Sequence, residues 1–373
     1  MYWIKLSAIN LIVFIVVLGL IEIFARTIFD QENDTISFVL SRPVPFHNDT
    51  AFDEVVKQFN GLCDYPLQKA IEGSSILHYA HDFSCGGITL YDGYRLTTDQ
   101  PQRSLFKVHV FGGSAVWGVG SIDRDTLPSV LQRQLNKAFP EKFVVTNQGF
   151  ESLVVKQQLA RLSRLKINPD DVIIFYDGGN DVWLGGVYGV PDGTIVDYNK
   201  ENRLTILVYN GRVWLSKNFA TYSLLSRLKK RLLLGKNDGI LNCPISEDEA
   251  VRNSEIGSDL YLKYIKDAGN LVKKSGGNFF HFFQPTLLAL EKPTEYEQIV
   301  IDRTPCYKEA KAAYRIYQSR YAQFAQQNNN VYDFSDYFSG HDLFFDWIHV
   351  GVGGNQIIAQ HVFDTLNVAG IDH

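Results

Sequence analysis

A serine behind two glycines and a histidine near the C-terminus are the residues best suited to nucleophilic chemistry. Ser114 follows Gly112 and Gly113, directly after an apolar run that is typical of a strand. Asp346 and His349 are three positions apart, so a single turn of chain brings the carboxylate beside the imidazole. The carboxylate can then accept from Nδ1 while Nε2 acts as a base, which turns a weak hydroxyl into a nucleophile. Each motif on its own is short enough to arise by chance.

Two further motifs contain glycine and could supply donors for the oxyanion of a tetrahedral intermediate. Asn147–Gly149 and Gly178–Asp181 each follow a strand-like run, as Ser114 does, so all three positions are expected at one edge of a sheet. The candidate donors are the Ser114 amide, the Gly149 amide and the Asn180 side-chain amide. Read separately, each motif is an ordinary glycine turn. Their ordered recurrence at strand ends favours a function.

Several competing interpretations concern single residues. Gly-Gly-Ser also suits a turn in a Rossmann-like unit. A phosphate-binding loop is not indicated, because no Gly-Lys-Ser/Thr follows and the G-x-G-x-x-G spacing is missing. The nucleophile elbow G-x-S-x-G is absent because Val116 occupies its last position, which counts against an α/β-hydrolase. His281 lies in an apolar run and is expected to be a satisfied core residue. His78 and His81 are spaced by three, but no cluster of carboxylates or cysteines makes them a convincing metal pair.

The elements that must position these residues alternate from Leu105 onward. Five short apolar runs predict strands: Phe106–Phe111, Phe143–Thr146, Val172–Tyr176, Asn278–Phe283 and Val331–Phe334. Amphipathic stretches between and after them predict helices: Leu127–Ala138, Leu153–Leu165, Tyr261–Lys274, Tyr307–Gln327 and Gly353–Val368. The alternation predicts an α/β fold with a parallel five-stranded, flavodoxin-like sheet, whose ligands bind at the carboxyl ends of the strands.

Taken together, the motifs resemble the sequence blocks of the SGNH (GDSL-like) hydrolase superfamily. Its first block is similar to Gly112–Ser114 with Gly118, except that Gly113 stands in place of the usual aspartate. The glycine of the second block corresponds to Gly149. The third block, Gly-x-Asn-Asp, corresponds to Gly178–Asp181, and the fifth, Asp-x-x-His, to the Asp346 and His349 pair.

This resemblance extends over about Leu105 to Val368. It implies a three-layer α/β/α fold and a Ser-His-Asp triad of Ser114, His349 and Asp346, with no metal and no cofactor. Members of the superfamily are esterases, lipases, thioesterases, carbohydrate deacetylases and, in some surface-polysaccharide systems, O-acyltransferases. The substrate that this suggests is an acyl ester, most plausibly O-acetyl, on a cell-surface glycan. The same triad would serve an O-acyltransferase, and a binding or assembly protein without turnover is the third hypothesis.

Residues 1–28 are predicted to form a membrane anchor. Leu6 through Ala25 is almost wholly apolar, and twenty residues of helix span roughly 30 Å, the thickness of a bilayer core. Asn10 and Glu22 interrupt it only near its ends. A cleaved signal peptide is the alternative, but Ile23 fits poorly two positions before the best cleavage site. The positive-inside rule gives a small bias towards a cytoplasmic N-terminus.

The four cysteines point to the same side of the membrane. Cys63, Cys85, Cys243 and Cys306 form no C-x-x-C motif, and their even number suits two disulfides in an oxidising compartment. Cys63–Cys85 and Cys243–Cys306 are the preferred pairs among three possible pairings, and four buried free thiols are the alternative. The body of the protein is therefore predicted to lie outside the cytoplasmic membrane.

Composition, net charge and changes in the hydrophobic pattern along the chain complete the predicted domain organisation. The 373 residues are 45% apolar and 21% charged, enough for a sizeable core, and a net charge of -5 argues against nucleic-acid binding. Residues 29–104 are predicted to be a stalk or cap, and 105–373 the hydrolase domain with an insertion at about 185–245. In the insertion, the basic segment Leu224–Lys236 suits a surface helix, or a helix lying on an anionic membrane. Three aromatic residues near the insertion either stack on sugar rings or pack in the core: Trp183, Tyr188 and Trp214.

Overall fold

A computed structural model describes residues 81–190, 245–338 and 343–370, with shorter pieces at 55, 58, 63, 66, 68–70, 77–79 and 243. These residues belong to one compact unit drawn from Arg42–Asp197 and Leu241–His373. Within this described part, no helix combines the length and apolarity needed to cross a bilayer. The predicted anchor Leu6 through Ala25, the basic segment Leu224–Lys236 and Trp214 lie outside the described residues.

The strands and helices are numbered here along the described chain. The strands are β1 Gln68–Ala70, β2 Leu77–Tyr79, β3 Phe83–Cys85, β4 Ile88–Tyr91, β5 Tyr94–Arg95, β6 Phe106–Gly112, β7 Phe143–Asn147, β8 Val172–Asp177, β9 Asn278–Phe283 and β10 Val331–Asp333. The α-helices are α1 Ser114–Trp117, α2 Leu127–Ala138, α3 Val155–Leu162, α4 Gly179–Val182, α5 Glu247–Lys274, α6 Glu295–Arg303, α7 Tyr307–Ala325 and α8 Val352–Val368. A 3₁₀ turn at Asp123–Asp125 and a π-helical turn at Trp183–Val187 complete the set.

The main sheet confirms the predicted parallel, five-stranded, flavodoxin-like architecture. Its strand order is β10-β9-β8-β6-β7, and every neighbouring pair runs parallel. The central strand β8 is buried at all six positions, as expected for a strand covered on both faces. Strands β6, β7 and β8 end at Gly112, Asn147 and Asp177, so the three motifs that follow them begin at one edge of the sheet.

Helices cover the sheet on both faces, which gives the three layers expected for an α/β/α fold. On one face, α5 packs against α3 and α7 over a core that includes Phe111, Phe175 and Tyr261. On the other face, α2 packs against α8. Thr126 caps α2 by accepting from the amide of Ser129, and proline follows early in the first turn, where its missing N–H costs nothing.

One predicted helix is much longer than its sequence pattern indicated. The helix predicted at Tyr261–Lys274 begins at Glu247, where the Ser246 side chain caps the Glu249 amide. Its early turns carry small residues instead of an apolar stripe, because they pack closely against the π-helical turn. A Cβ on Gly185 would lie 3.7 Å from the Gly257 Cα, and one on Gly186 would lie 2.7 Å from the Ser254 hydroxyl. Helix α6 and strands β1–β5 were not predicted.

The region ahead of the main sheet packs directly onto it. Strands β3, β4 and β5 form an antiparallel sheet, and its β4–β5 hairpin turns through Asp92 and Gly93, both with positive φ. Tyr79, Ile88 and Leu90 from this region are buried in one cluster with residues of the main domain: Trp117, Phe150 and Leu153. The predicted cap therefore shares a core with the loops at the carboxyl edge of the main sheet.

Both predicted disulfides are present. Cys63 bonds to Cys85 with the Cα atoms 5.6 Å apart, and Cys243 bonds to Cys306 with the Cα atoms 4.9 Å apart. The first bridge ties the chain ahead of β1 to β3. The second joins the residues before α5 to the start of α7.

Candidate active site

The turn between β6 and α1 presents Ser114 at the carboxyl edge of the sheet. Gly112 is required there, since a Cβ would stand 2.3 Å from the Val116 side chain and 2.4 Å from the Tyr176 carbonyl oxygen. Ser114 is the first residue of α1, so its backbone N–H has no acceptor within the helix. The helix lasts four residues and ends at Gly118, whose φ of 100° is accessible to glycine.

The structure brings Ser114, His349 and Asp346 into one hydrogen-bonded chain. His349 Nε2 lies 2.6 Å from Ser114 Oγ, and His349 Nδ1 lies 2.6 Å from Asp346 Oδ2. With Nδ1 protonated and donating to the carboxylate, Nε2 is the acceptor that faces the serine hydroxyl. Sequence analysis predicted this arrangement, and the geometry satisfies the requirement for a base within hydrogen-bond reach of its nucleophile.

Asp346 is fixed by its own loop. The amides of Ile348 and His349 donate to Asp346 Oδ1 at 2.9 and 2.7 Å, which leaves Oδ2 for the imidazole. Crowding by protein atoms would by itself raise the pKa of Asp346. The charge of His349 and these hydrogen bonds outweigh it and hold that pKa below its usual value. The loop is closed by a bridge between Phe344 and Val350. The carboxylate therefore stays ionised and orients the imidazole.

The predicted oxyanion donors differ in their availability. Asn180 Nδ2 donates to the Leu153 carbonyl at 2.9 Å and has a second hydrogen to offer. The Gly149 N–H donates to Asn147 Oδ1 at 2.9 Å, so it could reach an oxyanion only by sharing its hydrogen. The Ser114 amide and the Asn180 side chain are thus the donors with spare capacity, and the role of Gly149 stays a prediction.

Gly149 has a clear packing role all the same. A Cβ at this position would lie 2.4 Å from the Trp117 amide nitrogen, so only glycine lets the β7 loop approach α1 this closely. Asn147 stabilises the packing of the β7 loop against α1, because its Nδ2 donates to the Val116 carbonyl at 3.0 Å. Sequence analysis noted Asn147 as part of a motif but assigned it no role.

Gly113, which replaces the aspartate of the resembled block, also reflects close packing. Its φ of -80° suits any residue, so backbone strain does not select glycine here. A Cβ at this position would lie 2.5 Å from Asn180 Nδ2 and 3.4 Å from the Leu153 carbonyl oxygen. The departure from the block therefore makes room for the candidate oxyanion donor.

Arg95 is a residue of the site region that the sequence did not reveal. Its guanidinium is buried and donates to the carbonyls of Trp117, Gly118 and Ser121 at 3.0, 2.6 and 2.6 Å. It also pairs with Asp123 at 3.0 Å. The carbonyls at the end of α1 are left open by the short helix, and Arg95 satisfies them. No local pattern marks an arginine in a two-residue strand for this task.

A buried polar cluster lies beneath the Gly178–Asp181 turn. His281 Nε2 lies 3.1 Å from Asp177 Oδ1, and His281 Nδ1 lies 2.7 Å from the Tyr321 hydroxyl. Tyr261 donates to the same Asp177 oxygen at 2.7 Å. His281 is thus the satisfied core residue that its apolar surroundings predicted.

The aromatic residues near the insertion have different surroundings. Trp183 packs against Trp347 with ring centroids 4.6 Å apart, and both rings are partly exposed. Trp347 lies on the loop between Asp346 and His349. Tyr188 is 59% exposed. Among the described residues, the one grouping of possible metal ligands contains Cys243 and Cys306, which are already joined in a disulfide.

No protein-family model and no curated protein matches the chain. A member of the lipolytic G-D-S-L family from Veillonella parvula is 12% identical, covering 70% of this chain and 99% of its own, with a TM-score of 0.39. An acetylxylan esterase from Geobacillus stearothermophilus is 14% identical, covering 71% and 95%, with a TM-score of 0.39. An alpha/beta hydrolase from the Lake Arreo metagenome is 14% identical, covering 71% and 96%, with a TM-score of 0.38.

All three TM-scores are below 0.5 and all three identities are low. The function proposed below therefore rests on the geometry of the site.

Proposed function

We propose that this protein is a serine ester hydrolase that acts on an acyl ester, most plausibly O-acetyl, of a glycan on the cell surface. The observation that carries the proposal is the unbroken chain of hydrogen bonds from Asp346 through His349 to Ser114, with 2.6 Å at each step. A residue that served only in packing would not need a base and an orienting carboxylate aligned on its hydroxyl.

In the proposed reaction, Ser114 Oγ attacks the ester carbonyl carbon while His349 Nε2 takes the hydroxyl proton. The Ser114 amide and Asn180 Nδ2 donate to the oxyanion of the tetrahedral intermediate. His349 then returns the proton to the leaving alkoxide, which departs as the alcohol and leaves an acyl-serine. A water molecule, deprotonated by His349, attacks this acyl group and releases the carboxylic acid with Ser114 restored. Asp346 stabilises the imidazolium in both halves of the cycle.

The choice of a surface glycan has weaker but convergent support. Trp183 and Trp347 form a partly exposed aromatic pair beside the triad loop, and such faces pack well against sugar rings. Two disulfides suit an oxidising compartment, and the apolar segment Leu6 through Ala25 suits a membrane anchor. These features together favour an extracytoplasmic enzyme held close to envelope substrates.

Acyl transfer is the alternative use of the same groups. The acyl-serine would then be attacked by a hydroxyl of a second glycan instead of water, with His349 again as the base. The product analysis separates the two reactions: hydrolysis releases the free acid, and transfer leaves the acyl group on the acceptor.

The test uses the full chain in mild detergent, beside Ser114→Ala as the matched control. A fluorophosphonate probe should label the parent protein and not the variant, and the parent should hydrolyse p-nitrophenyl acetate. Absence of both labelling and hydrolysis in a folded parent would contradict the proposal and favour a non-catalytic binding protein. Mass spectrometry of acetylated surface glycan, before and after incubation with the enzyme, then identifies the ester that is cleaved.

A further inference from the structure

Glu151 lies on the β7 loop, between two contacts that this loop makes with the nucleophile turn. On one side, the Phe150 amide donates to the Gly112 carbonyl at 3.2 Å. On the other, the Leu153 carbonyl oxygen lies 3.4 Å from the position of a Cβ on Gly113. Gly112 and Gly113 directly precede the candidate nucleophile. The β7 loop therefore holds the backbone of Glu151 beside the turn that carries the candidate nucleophile, Ser114.

Tyr79 fixes the direction of the Glu151 side chain. The Tyr79 hydroxyl donates to Glu151 Oε2 at 3.1 Å. Tyr79 itself is 2% exposed, and its ring packs against Phe150 and Trp117 with centroid distances of 5.0 and 6.1 Å. The region ahead of the main sheet thus supplies the residue that holds this carboxyl group.

Electrostatics link the Glu151 carboxyl group to the residues around the nucleophile turn. Burial raises the pKa of Glu151 above its ordinary value, and the Tyr79 hydrogen bond and the charges of His349 and Arg95 offset only part of that rise. Asp346 already occupies Nδ1 of that imidazole. Glu151 is therefore a second carboxyl group on the loops that pack against the nucleophile turn, with no part in the acyl-transfer steps described above.

We propose that Glu151, oriented by Tyr79, binds hydroxyl groups on the alcohol part of the ester and so selects neutral, hydroxyl-bearing substrates such as partially acylated sugars. This inference rests on the proposed ester hydrolysis and adds the side of the substrate that is recognised. A carboxylate accepts hydrogen bonds from hydroxyls and repels anionic groups. Because the β7 loop bonds to the residues just ahead of Ser114, the group that we propose Glu151 binds is a hydroxyl next to the scissile ester.

The test compares two acetate esters of three-carbon alcohols, glycerol monoacetate with two free hydroxyls and propyl acetate with none. For the full chain, kcat/KM should be higher on glycerol monoacetate. In Glu151→Gln, the ratio of the two kcat/KM values should fall by about 10-fold, mainly through KM, because a hydrogen bond to a charged group is lost. Glutamine keeps an acceptor for Tyr79, which limits any effect on folding. Tyr79→Phe should lower the same ratio by about threefold, since it removes the hydrogen bond that orients the carboxylate and leaves the carboxylate in place.

Glu247→Gln is the matched control, because Glu247 is an exposed carboxylate at the start of α5, and its ratio should equal that of the parent. A folded Glu151→Gln enzyme whose ratio stays at the parental value would overturn the inference. An equal loss on both esters would also overturn it, since that pattern marks a structural role. If Glu151→Gln does not fold, Tyr79→Phe is used instead, and an unchanged ratio or an equal loss on both esters in that variant would overturn the inference. A parent inactive on both esters and on p-nitrophenyl acetate would instead contradict the proposed hydrolase function.

Discussion

Gly113 offers a direct test of the oxyanion assignment, because its missing side chain leaves the space that Asn180 uses. In Gly113→Ala, the new Cβ would lie 2.5 Å from Asn180 Nδ2. Ordinary contact begins near 3.4 Å, so Nδ2 must retreat by the difference, 3.4 − 2.5 = 0.9 Å. Donors act within a window of roughly 2.7–3.1 Å from the oxyanion, so this displacement removes the interaction. The expected loss is about 10²- to 10³-fold in kcat.

The same substitution should cost little stability. The atom that must move is the far end of a side chain, and the φ of Gly113 suits alanine. The hydrogen bond from Asn180 to the Leu153 carbonyl is the main loss, about 1 kcal/mol. Turnover of p-nitrophenyl acetate and urea unfolding measure the two effects separately.

Two further variants make this test decisive. Gly353→Ala is the control, because its Cβ would meet only Leu343, at 3.4 Å, and it should keep full kcat. Asn180→Ala should lose as much kcat as Gly113→Ala, and the double variant should lose no more than either, since both remove one donor. A folded Gly113→Ala protein with kcat within about threefold of the parent would refute the assignment of Asn180.

Three other outcomes are expected. Asp346→Asn should lower kcat by about 10³- to 10⁴-fold with the fold intact, because the amide no longer fixes the imidazole tautomer; a loss below tenfold on p-nitrophenyl acetate would argue against the triad. Burial lowers the pKa of His109 to about 4, below its ordinary 6.5, so neutral His109 stabilises the fold above pH 6.5 and this contribution is lost as the pH falls towards 4. The loss is about 2 kcal/mol by pH 5, and His109→Asn should flatten the difference between urea unfolding at pH 7 and pH 5; an unchanged difference would exclude His109 as its source. Replacing Cys63 and Cys85 together by serine opens a loop with a sequence separation of 22 and should lower the free energy of unfolding by about 2–4 kcal/mol; a double variant as stable as the parent would show that the bridge constrains little.

The sequence predicted those parts of the fold and site that repeat a simple pattern. The five strands alternate with amphipathic helices, and each glycine motif follows a strand, so the sheet and its carboxyl edge could be read directly. The Asp346 and His349 spacing predicted their contact because the two residues are close in the chain. The two disulfides were the preferred pairs among three possible pairings, and both are present.

Other features depend on contacts that no local pattern encodes. The first turns of α5 escaped prediction because Gly257 and Ser254 pack against glycines across the helix interface, where an apolar stripe would not fit. Arg95 and Tyr79 act on the nucleophile turn from short strands far ahead of it. Tertiary packing decides these cases. The bond from the Gly149 amide to Asn147 Oδ1 is instead a local turn contact, set by the rotamer of Asn147.

The separation of the triad along the chain has a consequence for biosynthesis. Ser114 and His349 are 235 positions apart in the chain, and α8 follows the loop that carries His349. During synthesis, the nucleophile turn therefore emerges and can fold long before its base exists. Ser114 therefore has no base beside it until the loop at residues 343–350 has been made and has packed against the nucleophile turn. The hydrogen-bonded chain from Asp346 to Ser114 thus depends on folding across 235 positions, and it cannot form in the segment that carries Ser114 alone.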